Sequence, residues 1–254
     1  LISKACVNTL AVKCPASAGF FLRDDFPFGV CVIRPNARAL TPQFSTVRKG
    51  SKMKKWFLVA ILSLIPAFAS ALTLVAGKDY TVLANPTVAP AKGQIEVAEF
   101  FWYGCPHCYS LEPYVATWLK TKPANVKFTR IPAALNPIWE ANARGYYVAE
   151  ASGVLEASHA ALFDAIQVRK ERLFDQASLA TFYGRFGVKA QNFNGLYQSF
   201  AVSARIAQSR NLAIRYQLSG VPAMVVNGKY LVSGDSGRVV EVVKALIERE
   251  RSAK

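Results

Sequence analysis

Residues 94–108 read Gln94-Ile95-Glu96-Val97-Ala98-Glu99-Phe100-Phe101-Trp102-Tyr103-Gly104-Cys105-Pro106-His107-Cys108. The first nine are rich in β-branched and aromatic types and predict a strand. Beyond them Leu111, Tyr114, Val115, Trp118 and Leu119 recur at helical spacing, which predicts a helix from about Cys105 to Lys120 with an expected kink at Pro113. Val126 to Ile131 reads as a second strand, so strand, helix and strand form a right-handed βαβ unit.

From Asn136 to about Tyr216 the pattern is helical, opened by Asn136 as a cap and Pro137 at the first helical position. Leu155, His159, Leu162, Phe163 and Ile166 make one apolar stripe. Leu179, Phe182, Tyr183 and Phe186 make a second, closed by Gly187, and Val202, Ile206, Ala213 and Tyr216 a third. Such a block reads as a helical domain inserted between two halves of another, with bounds of 72–135, 136–217 and 218–254. In the last part, Asn227-Gly228 between apolar alternations predicts a two-residue hairpin turn. A final helix carries Val239, Val240, Val243, Leu246 and Ile247 on its core face.

The chain has 254 residues, 52% of them hydrophobic, enough to bury a sizeable core, and this excludes disorder for most of its length. Its formal charge of +15 would suggest nucleic acid, yet much of the excess lies in the first 55 residues. From Leu72 onward 21 Lys and Arg face 14 Asp and Glu, a net +7, and the densest basic cluster, Arg169-Lys170-Glu171-Arg172, is interrupted by an acid. No nucleic-acid partner is expected.

Met53-Lys54-Lys55 precedes an apolar run to Ile65, then Pro66 and the small-residue stretch from Ala67 to Ala71. Residues 53–71 therefore read as a cleaved secretory signal; the segment is too short to be a spanning helix. Residues 1–52 read as an upstream extension outside the functional protein. Cys6, Cys14 and Cys31 fall in that extension, which leaves Cys105 and Cys108 as the cysteines of the exported chain. An exported protein normally uses cysteines as staples. These two are too close together to clamp a fold, so they point to chemistry.

Cys105 stands where the strand gives way to the helix, so its sulfur should face unpaired backbone N–H groups that stabilise a thiolate. His107 adds a cation or donor, and Pro106 suits the first helical position. Cys105 is the expected exposed nucleophile, and Cys108, one turn deeper, the shielded resolving thiol. Zinc would need two more ligands, whereas downstream of the signal the only histidines are His107 and His159; no metal is expected. A haem attachment sequence would need histidine where Tyr109 stands. A purely structural disulfide would close a loop of only four residues. Glu99 shares strand parity with Ile95, Val97 and Phe101, and Arg130 lies beside Val126 and Phe128. If both point inward they should meet, because a lone buried charge is costly; a solvated strand edge and plain packing stay open as alternatives. His159 is read as part of an apolar stripe without a functional role.

Glu99-Phe100-Phe101 leading into Cys105-Pro106-His107-Cys108-Tyr109, with Gly220-Val221-Pro222-Ala223 and Asn227-Gly228-Lys229-Tyr230 later, resembles the DsbA-type thiol:disulfide interchange proteins over residues 72–254. The resemblance implies an α/β architecture, a thioredoxin fold with an inserted all-helical domain. It implies a cis Pro222 against the active-site cysteines with Val221 beside it in the substrate groove, although a proline opening an edge strand is the ordinary reading of the residues alone. It assigns Glu99 to moving the buried cysteine's proton, and Arg130 is expected to take part as the charge beside it. Trp102 and Tyr103, with Phe101, are expected as an aromatic rim that contacts substrate, whose shape Gly104 alters by standing where many members carry a bulky residue.

The expected activity is a dithiol oxidase of the periplasm that donates the Cys105–Cys108 disulfide to reduced exported polypeptides. It needs no cofactor, acts as a monomer and is reoxidised by a DsbB-type membrane protein. The alternatives are a reductase or isomerase on the same fold, and a peptide-binding chaperone that uses the aromatic rim without redox turnover.

Overall fold

The computed structural model describes residues 73–84, 86 and 93–253. The readings of residues 1–52 as an extension and 53–71 as a signal lie outside them. A five-stranded sheet has the order β1 (Thr81–Val82), β5 (Tyr230–Ser233), β4 (Ala223–Val226), β2 (Ile95–Phe101), β3 (Val126–Pro132). Strands β2 and β3 are parallel, joined through α1 (Pro106–Leu119), and the other pairings are antiparallel. Alternation along β2 sends Ile95, Val97, Glu99 and Phe101 to one face, all of them buried. On that face Ile95 and Val97 pack with Leu111, Val115 and Trp118 of α1 and with Val239, Val243 and Leu246 of α7 (Gly237–Ser252).

Between β3 and β4 run five helices: α2 (Pro137–Ala151), α3 (Leu155–Gln167), α4 (Gln176–Gly184), α5 (Ala190–Tyr197) and α6 (Phe200–Arg215). Asn136 caps α2, its side chain accepting from the Trp139 N–H, and Pro137 stands in the first turn. Leu162, Phe163, Leu179, Phe182, Tyr183, Phe193, Val202 and Ile206 form one core with Phe101, Tyr103, Cys105 and Cys108. The helices thus roof the end of β2 and the start of α1.

Several details differ from the expectations. The α1 helix continues through Pro113 as one element, and Tyr114, assigned to its apolar stripe, is half exposed. The β4–β5 turn has the expected positive φ at Asn227 and Gly228, but Val226 pairs with Tyr230, so three residues connect the strands. The cause is lateral: Asn227 exchanges hydrogen bonds with Glu96 of β2, its N–H donating to the carbonyl and its Oδ1 accepting from the Glu96 N–H. Pairing with β2 outcompetes the tighter hairpin register.

Candidate active site

Cys105 is the residue before α1, in extended conformation, and Pro106 opens the helix without an N–H to satisfy. Both cysteines are free thiols. The Cys108 thiol donates to the Cys105 sulfur, and the backbone N–H groups of Cys108 and His107 and the His107 charge add to this. Together they outweigh burial and bring the Cys105 pKa down to about 6. Cys108 is shifted the opposite way, far above the ordinary thiol range, first by burial and then by giving its hydrogen to Cys105. One sulfur is therefore a thiolate at neutral pH and its neighbour a thiol.

The expectation of an exposed Cys105 needs correction: only 8% of the residue is accessible, against 1% of Cys108. The roof of helices and the 219–222 segment cover it, and its sulfur lies 3.5 Å from the Val221 carbonyl oxygen. The Val221–Pro222 peptide is cis, as the resemblance implied. Val221 is half-buried and Pro222 buried. A shallow depression beside them is lined by His107, Ser219, Gly220, Val221, Pro222, Ser233, Gly234 and Asp235.

The aromatic rim is also corrected. Phe101 and Tyr103 are wholly buried, so neither is available to a substrate. Phe101 packs edge-on to Tyr103 and His159, and the Tyr103 hydroxyl lies 2.7 Å from His159 Nδ1. Trp102 alone of the three reaches the surface, half-buried. Its indole stacks on Trp139 of α2 at 4.8 Å and donates through Nε1 to Asn142 Oδ1. Gly104 makes this possible: a Cβ there would stand 2.2 to 2.6 Å from the Trp102 ring. The indole occupies the space that a bulkier residue 104 would take.

Beneath the cysteines the two predicted charges do meet. Glu99 and Arg130 stand opposite each other in the β2–β3 register, Arg130 Nε lying 3.2 Å from Glu99 Oε2. This is an ion contact without hydrogen-bond alignment, and both Glu99 oxygens lack a donor. Burial first, and then the nearby Glu112 charge, push the Glu99 carboxyl well up, so it stays protonated at neutral pH.

Glu112 was not foreseen. Four residues after Cys108 on α1, it accepts from Arg130 Nη2 at 3.1 Å and lies 3.0 Å from His159 Nε2. Burial opposes its charge, but the His159 hydrogen bond and Arg130 hold it below the ordinary carboxylate range. Burial keeps His159 neutral and Tyr103 protonated. The tautomer follows: the Tyr103 hydroxyl donates to Nδ1, and Nε2–H donates to Glu112. His159 is thus a hydrogen-bonded link and not merely one position in an apolar stripe. The i, i+4 spacing of Cys108 and Glu112 was the signal for Glu112. Nothing in the sequence pointed to Asp235, whose Oδ2 lies 2.6 Å from His107 Nδ1. Among the described residues no group of three or more His, Cys, Asp or Glu side chains has metal-binding geometry.

Residues 124–244 match the model of the DSBA-like thioredoxin domain. The thiol:disulfide interchange protein DsbA of Pseudomonas aeruginosa is 39% identical over 208 residues, covering 79% of this chain and 99% of its own. The chain belongs to the DsbA family. Azotobacter vinelandii DsbA is 38% identical over 213 residues, 79% of this chain and all of its own. A crystal structure of P. aeruginosa DsbA superposes with a TM-score of 0.67 at 38% identity, covering 71% of this chain and 96% of that one. The Neisseria meningitidis oxidoreductase NmDsbA1 gives 0.62 at 27% identity, over 71% and 95%. Membership of the DsbA family brings the thioredoxin fold with it, and the five helices between β3 and β4 are this chain's form of the helical insertion.

Proposed function

We propose that this protein is a periplasmic thiol:disulfide oxidoreductase that donates a Cys105–Cys108 disulfide to reduced exported polypeptides as they fold. The observation that carries the reading is the opposed shift of two adjacent thiols, Cys105 down to about 6 and Cys108 strongly up. A stabilised Cys105 thiolate lowers the energy of the dithiol form and so makes the disulfide more oxidising.

In the forward reaction a client thiolate attacks Cys105 Sγ, a client–Cys105 bond forms, and the bond to Cys108 breaks. The departing Cys108 sulfur is a poor anion where it is buried, and the protonated carboxyl of Glu99 beneath it supplies a proton. Arg130 then faces the Glu99 carboxylate so produced. The client's second thiolate displaces Cys105, which leaves as the stabilised thiolate. Two electrons have passed from the client dithiol to Cys105 and Cys108. His107 and Pro106 support the thiolate at the helix start. The client chain lies along Val221-Pro222, with half-buried Trp102 as a further apolar contact.

Residues 53–71 serve as the export signal, 72–135 and 218–254 as the two halves of the thioredoxin domain, and 136–217 as its insertion. The protein works as a monomer without a cofactor and is reoxidised by a DsbB-type membrane protein. The test is the redox equilibrium of the isolated protein against glutathione. A potential well above the roughly −270 mV of thioredoxin is expected; a value at or below it would make the protein a reductant.

A further inference from the structure

The β5–α7 connection carries a carboxylate that nothing in the exchange reaction calls for. Gly234 turns the chain at φ +136°, where a side chain would also press on Val239 Cγ2 at 2.9 Å. That turn returns Asp235 to the start of α1, 128 residues away in sequence, with Oδ2 at 2.6 Å from His107 Nδ1. Both side chains are open to solvent and border the depression that includes Val221 and Pro222.

We infer that Asp235 is a positioning residue that holds the His107 ring at the start of α1 as an imidazolium, extending the stabilisation of the Cys105 thiolate to higher pH. The inference rests on the oxidase reading above. Two groups set the charge of His107: Asp235 from the β5–α7 connection and Cys105 from the residue before its own helix, and both raise its pKa, Asp235 more strongly. The 219–222 segment across the depression contributes no titratable side chain. Arg238, in the first turn of α7, is paired with Asp79 and Glu241.

The sign follows from linkage. Because the Cys105 thiolate raises the His107 pKa, the dithiol protein binds that proton more tightly than the disulfide protein does. This favours the dithiol form below the His107 pKa, and the effect fades as pH rises through it. Asp235 moves that fading upward. Its own negative charge acts against the thiolate at every pH, so its removal has two effects of opposite sign. With Asp235→Asn, His107 is still cationic at pH 6 and oxidising power is kept or slightly raised. Near pH 8 the imidazolium is lost and oxidising power falls.

The experiment compares wild type, D235N, D235E, H107S and H107S/D235N by redox equilibrium with glutathione at pH 6 and 8, with the His107 ring resonances titrated in both redox forms. D235N should lower the His107 midpoint. It should match wild type within twofold at pH 6 and be the weaker oxidant by about twofold to fivefold at pH 8, as an exposed ion pair allows. D235E should restore the wild-type profile, and in the H107S background the pH-dependent loss should vanish. An unchanged His107 midpoint in D235N, or a shift of equal size at both pH values, overturns the inference. A wild-type potential near that of thioredoxin would instead overturn the oxidase reading and leave the His107 titration to stand by itself.

Discussion

Reduced Cys108→Ser protein mixed with an oxidised client should stall almost completely as a mixed disulfide through Cys105, whereas reduced Cys105→Ser protein should trap very little. The thiolate is the attacking species, and with its pKa at about 6 some nine-tenths of Cys105 is ionised at pH 7. Cys108 is held as the thiol by burial, and less of it is accessible. Serine is the right replacement at 108 because the largest support for the Cys105 thiolate is the hydrogen bond from residue 108. A hydroxyl still donates it. Cys108→Ala should therefore trap more slowly at pH 6 than Cys108→Ser, although both lack the resolving thiol. Non-reducing gels read the outcome, and equal trapping by the two serine variants would remove the distinction between the cysteines.

The second large effect concerns stability. Arg130→Met should destabilise the protein by about 3–5 kcal/mol, the usual cost of leaving buried charge without its partner. Arg130 is the cation shared by Glu99 and Glu112, and its side chain and theirs are nearly or wholly enclosed. Without it Glu112 keeps its bond to His159 but loses its counter-charge. Adding Glu112→Gln should recover part of the loss, because a neutral amide still accepts from His159. Glu99→Gln should cost little near pH 5 and become relatively stabilising near pH 8. A carboxyl whose folded pKa is raised supports the fold below its unfolded pKa, and that support is lost as pH rises towards the folded value. Denaturant unfolding of wild type, these three variants and Glu112→Gln checks this; additive losses in the Arg130→Met/Glu112→Gln double variant would show that the two residues are not coupled.

The strand, the cysteine helix, the second strand and the Asn-Gly hairpin were readable because each depends on local pattern and backbone preference. The inward pairing of Glu99 with Arg130 was readable for a different reason: strand parity fixes the face, and the cost of a lone buried charge demands a partner. The misreadings around the cysteines share one cause. Phe101, Tyr103 and Cys105 follow each other at the end of β2, and whether they meet solvent or protein depends on helices up to a hundred residues later that roof them. Local sequence carries no record of that roof. Tyr114 shows the reverse, an apolar position on α1 that stays half exposed although Gly237 at the start of α7 lies against its ring. His159 was placed correctly in its stripe, but its role comes from Tyr103 and Glu112, which approach from separate elements. Asp235 reaches His107 only through the turn at Gly234.

The central claim is that one of two adjacent thiols is a thiolate at neutral pH and the other is not, and thiolate absorbance of the reduced protein followed from pH 4 to 10 tests it most directly. One cysteine, lost from the titration in Cys105→Ser, should ionise with a midpoint near 6, and the second should not ionise while the protein stays folded. A single midpoint near the ordinary ~8.5 of free cysteine, or two thiols that ionise together, would contradict the account.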